Sequence, residues 1–175
     1  MRDDGVKDAL AFVTSAYSSF SSCRQYRENI AAAQVEVGEN APQIEKLRAF
    51  YKSVFPNAKV ETVSDFMAVF ELEGQRFNAL NGGPQYRFNE AVSFFISVET
   101  QEEVDYFWSR LTADGGEESR CGWLKDRFGL SWQVIPTKLG RYLGDSDRTK
   151  ANRVMQAMMG MKKIVIAELD KAYAG

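Results

Sequence analysis

Histidine is absent from the 175 residues of this chain. Its absence excludes Ser/His/Asp and Cys/His catalysis and every metal site that needs imidazole, while a site of carboxylates alone for Mg²⁺ or Ca²⁺ stays open. Cysteine is scarce as well, since only Cys23 and Cys121 occur, without the spacing of a zinc site. Such cysteine usage is typical of a reducing compartment, and we expect a cytoplasmic protein.

Long apolar runs and a basic-then-apolar start are also missing. The sequence therefore predicts neither a membrane-spanning helix nor a secretory signal, and no membrane partner. No charge of one sign dominates, because 22 Lys and Arg stand against 24 Asp and Glu, giving a net charge of -2. This balance lacks the basic footprint of a nucleic-acid-binding protein.

Aromatic residues, by contrast, make up 13% of the chain, enough for a substantial core. The length suits one domain, or two small repeated units that share it. The most informative stretch predicts a β-hairpin: a strand over 121–125, a turn from Asp126 to Gly129, and a return strand over 130–135 that stops at Pro136. Aspartate bonds backbone N–H groups ahead of it, and glycine takes the positive φ that closes a tight turn.

The predicted elements occur in the order strand, helix, strands. This order then recurs after roughly 45–50 residues, with the hairpin at the end of the second set. The first set is predicted as strand 34–37, a helix opened by Pro42, and strands 58–63, 66–72 and 76–80 with a turn at Glu73-Gly74. The second set is strand 91–98, a helix with a Thr100/Glu103 capping box, and the hairpin. We therefore predict an α+β domain over 34–136, made of two modules at about 34–81 and 91–136.

Helical segments are predicted on both sides of this domain. An apolar stripe at alternating four- and three-residue steps predicts an N-terminal helix over about 6–33, within an extension of residues 1–33. Residues 137–175 predict a helical tail, with a helix capped by Ser146 or Asp147 and a last helix over 164–173.

Several motifs point to a known family. The most specific are Cys121-Gly122-Trp123-Leu124-Lys125-Asp126 and Ser131-Trp132-Gln133-Val134-Ile135-Pro136, and further stretches are 50–57, 79–84, 89–93 and 153–164. From residue 50 onward the chain resembles the PhnB-like branch of the vicinal-oxygen-chelate superfamily, which includes glyoxalase I, bleomycin-resistance and extradiol-dioxygenase proteins. Members of this branch are often labelled demethylubiquinone methyltransferase-like. No Gly-rich cofactor loop follows a strand here, so the residues give that label no support.

The resemblance implies paired βαβββ modules whose sheets curl around a cleft, completed by homodimerisation. It places the metal-ligand positions of the superfamily at Ser93, Gln133 and Ala79. These side chains are poor ligands for divalent metals, so we expect neither a catalytic metal nor another cofactor. The first strand departs from the branch at 34–40, where it is displaced, shortened or replaced by partner contacts.

The cleft candidates are Ser93 and Gln133, together with Phe95 and Phe77, which alternate onto the same faces as Ser93 and Ala79. Uncharged polar groups in an apolar wall suit a small neutral or aromatic molecule. Ser93 and Gln133 could equally be polar residues satisfied by neighbouring strands. The alternatives are an enzyme of the same superfamily, of lyase, isomerase or dioxygenase type, and a dimeric interaction protein with a filled cleft.

Overall fold

The computed structural model describes residues 11–12, 44–64, 67–80 and 86–175. They fall into two units, Met1–Phe88 and Asn89–Gly175. Each unit contains one four-stranded sheet. Together with five helices in the described part of the chain, the sheets confirm the predicted α+β class.

In the first unit, helix α1 (Ile44–Val54) precedes three strands: β2 (Lys59–Val63), β3 (Met67–Leu72) and β4 (Gln75–Leu80). A two-residue strand, β1 (Ala11–Phe12), pairs with β4 and completes the sheet in the order β1-β4-β3-β2. The turn between β3 and β4 is the predicted Glu73-Gly74, and both residues have positive φ, 47° and 84°. That conformation is typical of a two-residue hairpin.

The second unit repeats the order of the strands in the sheet. Its sheet contains β5 (Ser93–Val98), β6 (Glu117–Glu118), β7 (Trp123–Lys125) and β8 (Ser131–Pro136) in the order β5-β8-β7-β6, with helix α2 (Gln101–Leu111) between β5 and β6. Element order and strand order thus match the first unit, as the internal repeat predicts.

The first strands of the two units differ in direction. β5 runs parallel to β8, whereas β1 runs antiparallel to β4. The prediction of a helix over 6–33 is therefore wrong at Ala11–Phe12, because pairing with the edge of β4 replaces the local helical preference there. The rest of that helix, and the strand predicted at 34–37, lie outside the described residues.

The core of the first unit lies between α1 and its sheet. Leu47, Tyr51 and Val54 are buried on the inner face of α1. The ring of Tyr51 stacks on Phe70 with centroids 5.8 Å apart, and Phe70 stacks on Phe77 at 5.6 Å. This column of rings fixes which face of β4 points toward the helix.

Helix α2 begins as the sequence predicts. The Thr100 side chain accepts a hydrogen bond from the Glu103 backbone N–H, and the Glu103 carboxylate accepts one from the Thr100 N–H. These bonds satisfy donors that a helix start leaves unpaired. Val104, Trp108 and Leu111 are buried against the second sheet, and Trp108 Nε1 donates to Glu118 Oε1 at 2.9 Å.

The predicted hairpin of the second unit is confirmed, with one shift. Gly129 has φ 82° at the end of the turn. β7 begins at Trp123 rather than residue 121, because Cys121 and Gly122 also have positive φ and donate hydrogen bonds to the carbonyls of Met161 and Lys162 in the tail.

Three helices form the tail: α3 (Thr137–Leu143), α4 (Arg148–Met159) and α5 (Ile166–Ala174). Asp147 caps α4, as predicted, and Gly160 ends it. α3 lies within the predicted helical tail but was not predicted as a separate helix. The tail packs around a buried cluster within the second unit, which consists of Leu139, Val154, Met161, Ile164 and Leu169. Among the helices described, none is both long and apolar enough to cross a membrane.

Candidate functional site

One face of the second sheet points away from α2. Registers place Ser93 beside Ser131 and Phe95 beside Gln133 on the parallel pair β5 and β8. Across the antiparallel pair, Trp123 lies opposite Gln133 and Lys125 opposite Ser131. Since paired residues project to the same side of a sheet, these side chains share one face. We call it the open face, defined by Ser93, Phe95, Trp123, Lys125, Ser131 and Gln133.

The opposite face carries the apolar residues that make the core. Ile96, Val98, Trp132 and Val134 are all buried there, as alternation along β5 and β8 requires. Gln133 therefore faces away from Trp132 and Val134. Burial of one face fixes the register of the strands.

Ser93 and Gln133 meet at the centre of the open face. Gln133 Nε2 donates a hydrogen bond of 2.9 Å to Ser93 Oγ, between side chains forty residues apart in sequence. The bond leaves the Ser93 hydroxyl proton, the second Gln133 N–H and the Gln133 carbonyl oxygen for other partners. Both side chains are partly buried, so these groups lie at a surface that a ligand can reach.

Phe95 lies beside this pair and is unusually open for its size. Its exposed fraction is 59%, whereas the neighbouring Ile96 and Val98 are buried. Trp123, opposite Gln133, is half-buried. The open face therefore combines aromatic surface with uncharged polar groups, a composition typical of small-molecule sites.

One end of the open face is charged. Lys125 Nζ lies 2.6 Å from Glu90 Oε1. The hydrogen bond from Lys125 lowers the pKa of the Glu90 carboxyl below its ordinary value, so this carboxyl is ionised at neutral pH. Ser131, next to Lys125 in the register, is only 1% exposed.

Phe77 lies in the core of the first unit. It is 6% exposed and stacks on Phe70. Ala79, on the same face of β4, is completely buried. Alternation correctly places the two residues on one face, and that face packs on the core of the first unit because α1 covers it. Ser93, Gln133 and Phe95 lie together on the open face of the second sheet.

The metal-ligand positions of the superfamily do not fit a divalent cation here. Ser93 and Gln133 are engaged with each other, and Ala79 offers no donor atom. Across the ranges that the structure describes, no three Asp, Glu or Cys side chains gather in a cluster that could hold a metal ion. Neutral hydroxyl and amide oxygens alone bind such cations weakly.

A groove of about 830 Å³ lies between α4 and α5. Most of the residues around it are of polar type, but the surface that they expose to it is mostly apolar: Thr149, Asn152, Arg153, Gln156, Glu168, Lys171, Ala172 and Gly175. Arg153 is engaged there, because its guanidinium donates to the carbonyls of Ala172 and Tyr173 at 2.9 and 3.0 Å. No sequence pattern predicts this groove, because its residues lie on two helices whose packing is a tertiary feature.

Sequence reasoning also missed Ser131 and the Lys125–Glu90 ion pair. The period of two along β8 contained the signal for Ser131, because Ser131 and Gln133 alternate onto one face. The ion pair joins residues 35 positions apart, Lys125 and Glu90. No local sequence pattern predicts a contact between residues so far apart in the chain.

Comparison with known proteins agrees with the fold. The family described as 3-demethylubiquinone-9 3-methyltransferase matches residues 40–135, more than half of the chain. A solved structure titled putative 3-demethylubiquinone-9 3-methyltransferase, PhnB protein, from Bacillus cereus, aligns with a TM-score of 0.50 and 25% identity. The alignment covers 54% of this chain and 91% of that one.

Curated relatives match a shorter part. A ferrochelatase of Rhodopirellula baltica is 52% identical over 65 residues, which is 37% of this chain and 18% of the relative. A coproporphyrin III ferrochelatase of Mycobacterium sp. (strain JLS) is 51% identical over 51 residues, 29% of this chain and 15% of the relative. The chain thus spans less than a fifth of the length of these relatives.

Proposed function

The chain belongs to the PhnB-like 3-demethylubiquinone-9 3-methyltransferase family, of the glyoxalase/bleomycin-resistance superfamily, and on that basis we propose that it binds a small neutral or aromatic molecule on its open face. The observation that carries the proposal is the Gln133–Ser93 hydrogen bond beside the exposed ring of Phe95. Hydrogen-bonding groups beside an uncovered aromatic ring match the polar and apolar parts of such a ligand.

The proposal includes no catalytic metal and no methyl transfer. Ser93, Gln133 and Ala79 are poor ligands, and no Gly-rich loop of the kind that cradles a nucleotide cofactor follows a strand in the sequence. The chain spans less than a fifth of its ferrochelatase relatives, so their activity is not part of the proposal.

A thermal-shift screen of metabolites and aromatic antibiotics tests this function. A ligand at a hundred times its Kd should stabilise the folded chain by about 2.7 kcal/mol. For a hit that binds the open face, Phe95→Ala, Gln133→Leu and Ser93→Ala should each reduce the shift. Val92→Ala is the matched control, because Val92 is 63% exposed but precedes β5. Equal shifts in all four variants would refute binding at the open face.

A second candidate is an interaction protein. Met155 and Met159 on α4 are 39% and 58% exposed, and flexible methionines suit adaptable protein contacts. The same screen separates the two functions, since an interaction protein would give no small-molecule hits.

A homodimer is compatible with both functions. β5 forms one edge of its sheet, and a sheet edge favours pairing with a second copy. Light scattering should then give twice the mass of one chain, and a monomer would contradict it.

A further inference from the structure

Ser131 holds an unpaired polar atom. In the part of the chain that the structure describes, its Oγ is the one side-chain oxygen or nitrogen that is buried without a hydrogen-bond partner. The residue as a whole is 1% exposed. Native proteins pair nearly all buried polar groups, so an unpaired hydroxyl calls for an explanation.

The position of Ser131 supplies one. Its register partners are Ser93 on β5 and Lys125 on β7, and it precedes Gln133 by two residues on β8. Its side chain therefore projects to the open face, at the end opposite the tail helices. The unpaired hydroxyl belongs to the same face as the Gln133–Ser93 pair.

Two hydroxyl donors thus stand side by side. Ser93 Oγ accepts from Gln133, and its own proton is left to donate. The Ser131 proton has no acceptor either. Neighbouring strands lie about 4.8 Å apart, and one ligand oxygen placed between two such hydroxyls can reach both at hydrogen-bond lengths of about 2.8 Å.

The charges nearby indicate an uncharged ligand. Lys125, opposite Ser131, is already neutralised by Glu90 at 2.6 Å. An anionic ligand would have to displace Glu90, whereas a neutral carbonyl oxygen accepts from the two hydroxyls without disturbing the pair. Phe95 offers the ring of such a ligand an exposed apolar surface.

We propose that the open face selects an uncharged aromatic ketone or aldehyde, whose carbonyl oxygen accepts hydrogen bonds from Ser131 and Ser93 while its ring lies on Phe95. This inference rests on the proposed function and names its ligand class. Because Ser131 is covered in the free chain, binding requires a neighbouring side chain to turn aside.

Two probes that differ in the carbonyl test this selection: acetophenone and ethylbenzene. Each is titrated into the full ¹⁵N-labelled chain, and Kd is obtained from amide chemical shifts in β5 and β8. We expect wild type to prefer acetophenone and Ser131→Ala to weaken acetophenone about tenfold, the scale of one lost hydrogen bond. Ethylbenzene should bind both proteins alike. Ser119→Ala, which removes an exposed hydroxyl from the loop between β6 and β7, is the control and should change neither Kd.

The melting temperature of Ser131→Ala shows whether the Ser131 hydroxyl serves ligand binding or the stability of the fold. Loss of an unpaired hydroxyl should leave it unchanged or raise it. A lower melting temperature with an unchanged acetophenone Kd would overturn the inference, because the hydroxyl would then serve the fold. If Phe95→Ala weakens both probes and Ser131→Ala weakens neither, the ligand class is wrong and the proposed function stands. If neither probe shifts β5 and β8, both fail.

Discussion

Gln133 and Ser93 are joined side chain to side chain across two parallel strands, with Nε2 and Oγ 2.9 Å apart. The contact pairs a flexible amide with a short hydroxyl at the centre of a sheet face that also carries an exposed phenylalanine. A hydrogen bond at this position orients both groups before a ligand arrives, which reduces the entropy that binding must overcome. Substitutions can test both the stability of the structure around the open face and binding at that face.

Asp126 should be the most costly polar residue of the hairpin to replace. It is 2% exposed, and its carboxylate accepts from Phe128 N, Leu130 N and Trp132 Nε1 at 2.9, 3.1 and 2.9 Å. Asp126→Ala leaves these donors unpaired and should lower the free energy of unfolding by about 3–4 kcal/mol, measured in urea. Glu117→Ala, at an exposed position of β6, should change it by less than about 0.5 kcal/mol. Similar losses in both would contradict the buried network.

Two glycines with the same backbone conformation should respond differently to alanine. Gly122 and Gly129 have φ of 83° and 82°. A Cβ on Gly129 meets nothing within 4 Å, so Gly129→Ala should cost about 1–2 kcal/mol of backbone strain. On Gly122 it would lie 2.6 Å from Ile135 Cδ1 and 2.9 Å from Val134 O, which should add about 1–3 kcal/mol. Equal costs in thermal unfolding would contradict the close packing of β8 on Gly122.

The start of α2 should depend on the hydroxyl of Thr100. Thr100→Ala removes the acceptor of the Glu103 N–H and should lower the free energy of unfolding by about 1 kcal/mol. Thr100→Ser keeps an oxygen at the cap and should retain most of that stability. Urea unfolding of both variants decides the matter, and a loss of equal size in Thr100→Ser would assign the effect to the methyl group.

Asp170 should make the stability of the tail depend on pH. Hydrogen bonds from Lys138 Nζ, and then from Tyr142 OH, hold the pKa of its carboxyl below the ordinary value. A carboxyl whose pKa is lower when folded stabilises above its unfolded pKa, about 3.9, and loses that contribution as the pH falls through the folded pKa. The advantage of wild type over Asp170→Asn should thus be present at pH 7 and shrink below pH 4.

NMR titration gives the matched check on the same carboxyl. In Lys138→Met the first cause of the shift is gone, so the pKa of Asp170 should rise toward its ordinary value. It should not reach that value, because Tyr142 OH still donates at 2.7 Å. A pKa that stays where it is in wild type would contradict the role assigned to Lys138.

Local signals in the sequence predicted a large part of this fold. The Glu73-Gly74 turn, the Thr100 capping box and the Asp126–Gly129 turn depend on residues within a few positions of each other, and each appears where it was predicted. Alternation along β8 likewise places Gln133 on one face of the strand and Trp132 and Val134 on the other. Repetition of the element order predicted the two equivalent sheets.

Non-local features were beyond the sequence. Ala11–Phe12 is a strand because the edge of β4 is beside it, and Phe77 is in the core because α1 covers its face of the sheet. Helix α3 follows Pro136 directly and contains Gly140, a weak helix former, so tertiary contacts support it: Leu139 packs in the tail cluster, and Lys138 and Tyr142 bond Asp170. Alternation gives the two faces of a strand, but only tertiary structure decides which face is buried.

An amide chemical-shift map of the ¹⁵N-labelled chain, recorded with a hit from the thermal-shift screen, tests most directly whether a small molecule binds the open face. We expect the largest changes at Ser93, Phe95 and Gln133. Changes confined to the groove between α4 and α5, at residues such as Thr149 and Lys171, with those three amides unmoved, would contradict it.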